Sequence, residues 1–291
     1  MAAKNDKKSS EVATVGAAQL PDGFSDSQEG YRDYDGPKGN EQFDSNDVAV
    51  PRLKLCQSMT PEVKEGKAKE GDVMHTITGE IVADLNTPLF VIPVVATKNY
   101  ILWRDRKNGG GVMARAEFEP YMGAGRFRWD KPNQDFEDKI DGKTPVKYHT
   151  KNYIDEDGLD QWGTQLPGVP DSPPAATLHY NYVVVLPDRN YEMVLMSFAR
   201  TQINPGKQLN SLLGFGNAPI FARRFKMETF IDTKGENDFA NWRVSNAGVM
   251  LPTNPKFEEL KDLHEHMKSK NLIIDDEAGV DEAGEASDGK F

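Results

Sequence analysis

Short apolar runs of strand length constrain this chain more than any other feature. The two longest are LFVIPVVA at residues 89–96 and YVVVLP at 182–187, rich in β-branched residues and far too short to span a membrane. Turn residues separate such runs, for example around Thr78-Gly79-Glu80 and around Asp188-Arg189-Asn190. Several short strands joined by hairpins predict a mainly β core, a small β-barrel or a sandwich.

The same pattern locates individual elements. Pro93 inside the first run predicts an edge position or a bulge, because proline cannot donate to a sheet. The segment 112–129 reads as a further hairpin, 219–232 and 239–251 as two more strands, and 205–216 as a short helix. A closing helix is predicted over 254–270, with Asn254 as N-cap, Pro255 at the first helical position and an apolar stripe at helical spacing formed by Phe257, Leu260, Leu263 and Met267.

Charge divides the chain into three parts. The net charge is -11, and residues 275–291 carry seven acids and one lysine, while residues 1–47 carry ten acids and five bases. The remainder, 48–274, therefore has 29 acids and 29 bases. We predict disordered segments at 1–47 and 275–291 and a neutral core at 48–274, interrupted by a polar insertion at about 130–176. A neutral core is free to present a basic face.

Motifs for catalysis are missing from the sequence. There is no phosphate-binding loop of the Walker type, and His264 and His266 are spaced two apart, which places them on different faces of a helix. Cys56 is the single cysteine, so an internal disulfide and a multi-cysteine zinc site are excluded. We therefore expect no enzyme activity, no cofactor and no metal. The lysines near the N-terminus are not followed by an apolar run, which predicts a cytoplasmic protein without a secretory signal.

Three strand-like segments mix cations with aromatic rings: KNYILWRDRK at 98–107, RFRW at 126–129 and FARRFK at 221–226. Rings that stack on bases and cations that contact phosphates bind single-stranded nucleic acid without sequence preference. The ordinary alternative is a half-buried strand with its rings in the core and its cations in solvent. The candidate DNA-binding residues are Tyr100, Trp103, Arg104, Arg106, Lys107, Arg126, Phe127, Arg128, Trp129, Phe221, Arg223, Arg224, Phe225 and Lys226.

Strand parity refines the first segment. Side chains alternate between faces, so Tyr100, Arg104 and Arg106 share one face, while Ile101 and Trp103 share the other. We expect the first group to form a strip for stacking and phosphate contact and the second to lie in the core.

The C-terminal sequence DDEAGVDEAGEASDGKF ends on Phe291 behind a run of acids. Solubility explains the acids, but not a terminal ring, which offers an apolar group and an α-carboxylate to a partner. Such a tail behind a basic-aromatic β-core resembles bacterial and bacteriophage single-stranded DNA-binding proteins. The resemblance implies an OB-fold-like β-barrel and recruitment of replication and recombination enzymes (polymerase, helicase-primase or nuclease) through the tail. The matching residues are Asp275, Asp276, Glu277, Asp281, Glu282, Glu285, Asp288 and Phe291. Gly289-Lys290 replaces the acids that usually precede the last residue.

The leading hypothesis is a non-catalytic, sequence-tolerant single-stranded DNA-binding protein of phage replication or recombination, located in the host cytoplasm. Its partners are single-stranded DNA and, through the tail, replication enzymes; no membrane is involved, and homo-oligomerisation is left open. The second hypothesis is a virion or assembly protein whose β-core makes protein contacts. The third is a metal-dependent nuclease that uses acids such as Glu62 or Glu117.

Overall fold

The computed structural model describes residues 51–121, 124–234 and 237–269. The predicted terminal segments 1–47 and 275–291 lie outside them. The described residues form twelve strands, β1 Leu53–Leu55, β2 Val73–His75, β3 Ile81–Ala83, β4 Leu89–Trp103, β5 Val112–Tyr121, β6 Ala124–Trp129, β7 Asp135–Ile140, β8 Thr144–His149, β9 Ala176–Leu186, β10 Glu192–Ala199, β11 Arg223–Lys234 and β12 Asn237–Val249. The α-helices among them are α1 Pro61–Lys64, α2 Ile154–Asp157, α3 Ile203–Gly214 and α4 Pro255–Ser269.

The mainly β class and the predicted hairpins are confirmed. Strands β2 and β3, β5 and β6, β9 and β10, and β11 and β12 each pair antiparallel, as the turn residues between them predict. Between β9 and β10, Asn190 has a φ of 52°, a left-handed conformation that asparagine tolerates better than most residues.

Strand β4 organises the large sheet, whose order is β10-β9-β4-β11-β12. Strand β9 follows one edge of β4 from Ile92 to Leu102. The other edge is shared, because β11 pairs with residues 89–91 and β5 with residues 99–103, so two hairpins diverge from it. The pairing register with β9 shifts between Pro93 and Val95, which confirms the predicted bulge.

The described strands form a large sheet that does not close into a barrel. Strands β10 and β12 end the order of the large sheet and do not pair with each other there. The expected closure into an OB-fold-like barrel is therefore not formed by the described strands. The physical reason is the divided edge of β4, which sends the β5–β6 and β11–β12 hairpins in separate directions instead of continuing one sheet.

The two largest apolar cores of the described residues lie on this sheet, and smaller clusters pack under α4. The first packs the small β1–β2–β3 sheet and α3 against one face of the large sheet, around Tyr182, Phe198 and Phe225. The second lies under the segment 130–176, which the sequence presents as a long polar insertion. That segment contains the β7–β8 hairpin and α2, and it buries widely spaced apolar side chains, Val146 and Ile154 among them, against strands of the large sheet. Apolar residues that are this far apart in the chain produce neither the helical nor the strand periodicity from which burial is predicted.

The closing helix α4 is confirmed with its cap. The Asn254 side chain accepts a hydrogen bond from the Lys256 backbone N–H at 2.9 Å. Its predicted apolar stripe packs against the opposite face of the large sheet from the first core, together with Phe221. None of the helices in the described ranges is long and apolar enough to cross a membrane.

Candidate nucleic-acid interface

Three of the predicted aromatic residues belong to the apolar cores. Trp129 is 2 % exposed, and its indole N–H donates to the Asp157 carboxylate at 2.7 Å. Phe221 and Phe225 are also buried, and Phe221 packs edge to face on Phe257 with ring centres 5.4 Å apart. These rings have no free face for a base.

Arg223 is a structural residue as well. Its guanidinium is buried and donates to the carbonyl oxygens of Ala218 at 2.9 Å and of Leu212 at 2.7 Å. Leu212 lies in the last turn of α3, where backbone carbonyls have no partner within the helix and a cation is favourable.

The cations of β6 face acids. Arg126 is bonded to Asp155 and Glu156, each at 2.8 Å, and stacks 3.8 Å above the Tyr153 ring. The hydrogen bonds that Arg126 donates to these two carboxylates raise the pKa of its guanidinium. Arg128 lies 3.6 Å from Glu119. The chain fixes these cations locally, which leaves less of their charge for a phosphate.

The end of β4 places three predicted cations on an exposed turn. Arg104, Arg106 and Lys107 are exposed, and Lys107 pairs with Asp141 at 3.2 Å. The turn is held by Asp138, which accepts from the Asp105 backbone N–H at 2.7 Å. Alternation along the strand predicted that Ile101 and Trp103 both lie in the core. Ile101 is fully buried, as predicted, but Trp103 is partly exposed.

Tyr100 and Phe127, the remaining aromatic predictions, meet on one face of the sheet. Their rings are perpendicular, with centres 4.7 Å apart, and Phe118 packs on Phe127 at 5.5 Å. The Lys98 ammonium lies 4.1 Å from the centre of the Phe118 ring and 5.2 Å from that of Phe127. Cross-strand partners share a face, and Lys98 pairs with Tyr180 on β9. We call this group, Lys98, Tyr100, Phe118, Phe127 and Tyr180, the Lys98 patch.

Two raised elements border the Lys98 patch. On one side Tyr180 touches α3, where a Cβ added to Gly206 would come within 2.9 Å of the Tyr180 ring. On the other side Tyr100 and Phe127 pack against the second core, under the segment 130–176. The patch is accessible between these borders, and Phe118 is 39 % exposed.

The electrostatics of the Lys98 patch favour an anion over its rings. Lys98 has no hydrogen bond or ion pair with another residue of the described ranges, so its charge is not neutralised there. Lys207 is exposed on α3, next to Gly206. Burial, and then the charge of Asp160, raises the pKa of Tyr100, which keeps this phenol neutral.

The last two predicted cations lie elsewhere. Arg224 stacks 3.9 Å above Phe90 and lies 3.5 Å from Asp188, while Lys226 pairs with Glu228 at 2.6 Å. Lys226 pairs across strands with Phe90, next to the Phe225–Val91 pair that points into the first core. Arg224 and Lys226 therefore lie on the face opposite that core, whereas Tyr180 of the Lys98 patch packs against it. The structure therefore brings Tyr100 of the first predicted segment and Phe127 of the second together, but it leaves Arg224 and Lys226 of the third on the other face.

The acids considered for metal chemistry are engaged separately. Glu62 pairs with Lys54 at 3.1 Å, and Glu117 accepts from the Asn99 side chain at 3.5 Å. Within the described ranges, no group of three or more His, Cys, Asp or Glu side chains is arranged to hold a metal ion.

Sequence reasoning missed three members of the Lys98 patch. Lys98 lies two residues before Tyr100, so strand parity alone places both on one face. Phe118 and Tyr180 join them only through pairing across strands, a relation that no local pattern encodes.

A family model described as Pam3 phage gp34-like protein matches residues 22–272. The match covers most of the chain, so the chain belongs to this family of phage proteins. No curated protein and no solved structure matches the chain.

Proposed function

We propose that this member of the Pam3 phage gp34-like family binds single-stranded DNA without sequence preference through the Lys98 patch. One observation carries the proposal: an ammonium group without an acidic partner in the described ranges lies among four partly exposed rings on one sheet face. In this role the protein is non-catalytic and serves phage DNA replication or recombination.

The chemistry of the patch suits an unpaired strand. An exposed ring such as Phe118 offers a flat apolar surface, and stacking a base on an aromatic side chain contributes about 1–3 kcal/mol whatever the base. The flexible Lys98 stem lets the ammonium leave the ring and follow a phosphate when a base arrives. Duplex DNA keeps its bases stacked inside the helix, so we expect it to bind more weakly.

The borders of the patch define a path for the strand. Segment 130–176 and α3 border the rings on either side. A DNA strand that enters between these borders would cross β4, β5 and β9. Lys207 on the α3 border adds a second exposed cation for the phosphates.

We also propose that the tail from Asp275 to Phe291 binds partner proteins. Its acids would steer it toward basic surfaces of replication or recombination enzymes, and Phe291 would enter an apolar pocket beside a cation. The tail lies outside the described residues, so this part depends on the sequence alone.

Fluorescence anisotropy with a labelled single-stranded oligonucleotide tests the proposal, across a salt series and with the matching duplex as comparison. We expect tight, salt-dependent binding to the single strand and weakening by roughly five- to a hundredfold in Phe118→Ala. Phe230→Ala is the matched control, because this ring lies on β11 on the same face as Lys226, away from the patch. A chain stopped at Ile274 is expected to bind DNA more tightly, because the acids no longer compete.

Three results would overturn the proposal. Absence of binding at low salt by both the full chain and the shortened chain, together with defined oligomers, would favour an assembly protein. Magnesium-dependent loss of the oligonucleotide would favour a nuclease. Equal effects of Phe118→Ala and Phe230→Ala would leave DNA binding in place and remove the Lys98 patch from it.

A further inference from the structure

A second group of side chains lies on the reverse of the sheet behind the Lys98 patch. Asn99 pairs across strands with His179, and both alternate with the patch residues Lys98 and Tyr180 along their strands. Trp103 follows on the same side of β4, and its ring centre lies 5.9 Å from that of His179.

Two nitrogen atoms in this group are buried without a partner. His179 is 8 % exposed, and neither its Nε2 nor the Nε1 of Trp103 has a hydrogen-bond partner within the part of the chain that the structure describes. An indole N–H can only donate, and a buried polar group left unpaired destabilises the folded chain. Two such atoms on neighbouring rings indicate a place where a polar group from outside the protein fits.

Arginines surround these nitrogens. Burial, then the charges of Arg200 and Arg52, lowers the pKa of His179 to about 3, so the imidazole is neutral and both cations are close to it. Arg200 is exposed by its accessible surface, although the protein packed around it, and then the charge of Arg106, lowers the pKa of its guanidinium. Like charges gathered around buried donors favour an anion between them.

Strand pairing places Arg200 beside His179, because Arg200 follows Ala199, which pairs across strands with His179. Arg200 follows β10 directly and has a φ of 51°, a left-handed conformation that is uncommon for a residue other than glycine. Conformations of this kind cost energy and cluster where function requires them. Glu117, an acid of the same sheet face, is held on the β5 side of Asn99, away from β10.

We propose that Trp103, His179 and Arg200 form a binding site for a phosphate group. A tetrahedral phosphate offers several acceptor oxygens, so one oxygen can accept from the Trp103 indole while others face the His179 ring and the Arg200 guanidinium. Arg52 and Arg106 add positive charge around it. The group is either free inorganic phosphate or the terminal phosphate of a nucleic acid. This site does not depend on the Lys98 patch, which faces the other way.

Titration with inorganic phosphate, followed by calorimetry and by the indole N–H resonance of Trp103, tests the site directly. Trp103→Phe identifies that resonance by its loss, and it keeps the ring while removing the donor. We expect the resonance to shift on titration, and we expect Trp103→Phe and Arg200→Gln to weaken binding about ten- to a hundredfold, as for lost hydrogen bonds to a charged group.

Arg104→Gln is the matched control, because Arg104 is an exposed arginine that neighbours Trp103 in the chain. Lys98→Met changes the patch that we propose for single-stranded DNA, on the other face of the sheet. We expect this variant to leave the affinity for inorganic phosphate unchanged. A second pair of titrations compares a single-stranded oligonucleotide that carries a 5′-phosphate with the same strand ending in a 5′-hydroxyl. A preference for the phosphorylated end that is lost in Arg200→Gln assigns the site to nucleic acid, and equal binding of both strands assigns it to free phosphate.

Two results would overturn the inference. One is an indole resonance of Trp103 that does not move with phosphate in the full chain. The other is equal phosphate affinity in the full chain, Arg200→Gln and Arg104→Gln. Either result leaves the proposal for the Lys98 patch untouched.

Discussion

The ammonium of Lys98 lies 4.1 Å from the centre of the Phe118 ring on the neighbouring strand. A cation over an aromatic face is attracted by the electrons of the ring, and the same ring surface is what a base would cover. This contact therefore joins the two features that a single strand requires, a charge for the phosphate and a plane for the base, in one pair of residues.

Lys98 and Phe118 should affect DNA binding in different ways. We expect Lys98→Met to reduce the slope of log affinity against log salt by about 0.7–1, because one phosphate contact and its released counterion are lost. Phe118→Ala should lower affinity at every salt concentration and leave the slope unchanged. Anisotropy titrations at several salt concentrations measure both, with Lys226→Met on the other face as control. A slope that is the same in Lys98→Met and in the unchanged chain would contradict this role.

His264 should support the bulge in β4. Its Nδ1 donates to the backbone carbonyl oxygen of Val94 at 2.7 Å, and Val94 is fully buried at the register shift. Without the imidazole this carbonyl loses its partner, so His264→Ala should lower the free energy of unfolding by about 1–3 kcal/mol. Denaturant unfolding measures the effect. Glu265→Ala, an exposed neighbour on α4, should change it by less than about 0.5 kcal/mol, and equal losses in the two variants would argue against the bond.

Arg223 should behave as a structural residue and Arg224 as a surface residue. Arg223→Met removes the buried guanidinium donor from the carbonyls of Leu212 and Ala218, of which Leu212 keeps only the longer bond from the Phe215 N–H at 3.3 Å, and we expect a loss of about 2–4 kcal/mol in the free energy of unfolding. Arg224→Met removes a partly exposed contact with Phe90 and should cost about 1 kcal/mol or less. Chemical unfolding of both variants gives the comparison. A smaller loss for Arg223→Met than for Arg224→Met would reverse the assignment.

Asp157 should make the stability depend on pH. Burial raises the pKa of its carboxyl, and this effect exceeds the lowering by hydrogen bonds from the Leu159 and Lys151 backbone N–H groups and from Trp129. The folded state therefore binds this proton more tightly than the unfolded chain, so the contribution is present below the unfolded pKa and is lost as pH rises through the folded value.

The difference in unfolding free energy between the unchanged chain and Asp157→Asn isolates that contribution. We expect the difference, unchanged chain minus variant, to fall as pH rises from the acidic range to neutrality, because only the unchanged chain must ionise a buried carboxyl. Unfolding curves at a series of pH values measure it. A difference that grows with pH would show that the hydrogen bonds outweigh burial.

Gln57 should protect the outer edge of β12. Its side-chain amide donates to the Ala240 carbonyl at 3.0 Å, and its oxygen accepts from the Ala240 N–H at 2.9 Å, as a neighbouring strand would. In Gln57→Ala, the Ala240 amide proton should exchange roughly two- to tenfold faster, which corresponds to a hydrogen bond of about 0.5–1.5 kcal/mol. Ser58→Ala is the exposed neighbouring control. Unchanged exchange at Ala240 would mean that another group protects this edge.

Local signals explain the parts of the fold that the sequence predicted well. The hairpins, the bulge at Pro93 and the capped helix from Pro255 depend on residues close in the chain, such as Asn254 beside the first turn of α4. The packing of segment 130–176 was not predicted from the sequence. Val146 and Ile154 are isolated apolar residues in a polar segment, and only tertiary contacts bury them in the second core. The sequence also did not predict that the barrel stays open, because the divided edge of β4 is a relation among the three strands β4, β5 and β11.

The sequence by itself determined the mainly β class, the hairpin order and the mixture of cations and rings along three segments. Only the tertiary structure decided which of those cations and rings face solvent. The sequence predicted Arg223 and Trp129 as DNA-binding residues, yet both are buried. Arg223 donates to the Leu212 carbonyl and Trp129 to the Asp157 carboxylate, partners that lie 11 and 28 residues away in the chain. Lys98 gains its place beside Phe118 by strand pairing. The physical reason is that alternation along a strand assigns residues to two faces, while packing against other elements decides which face stays exposed.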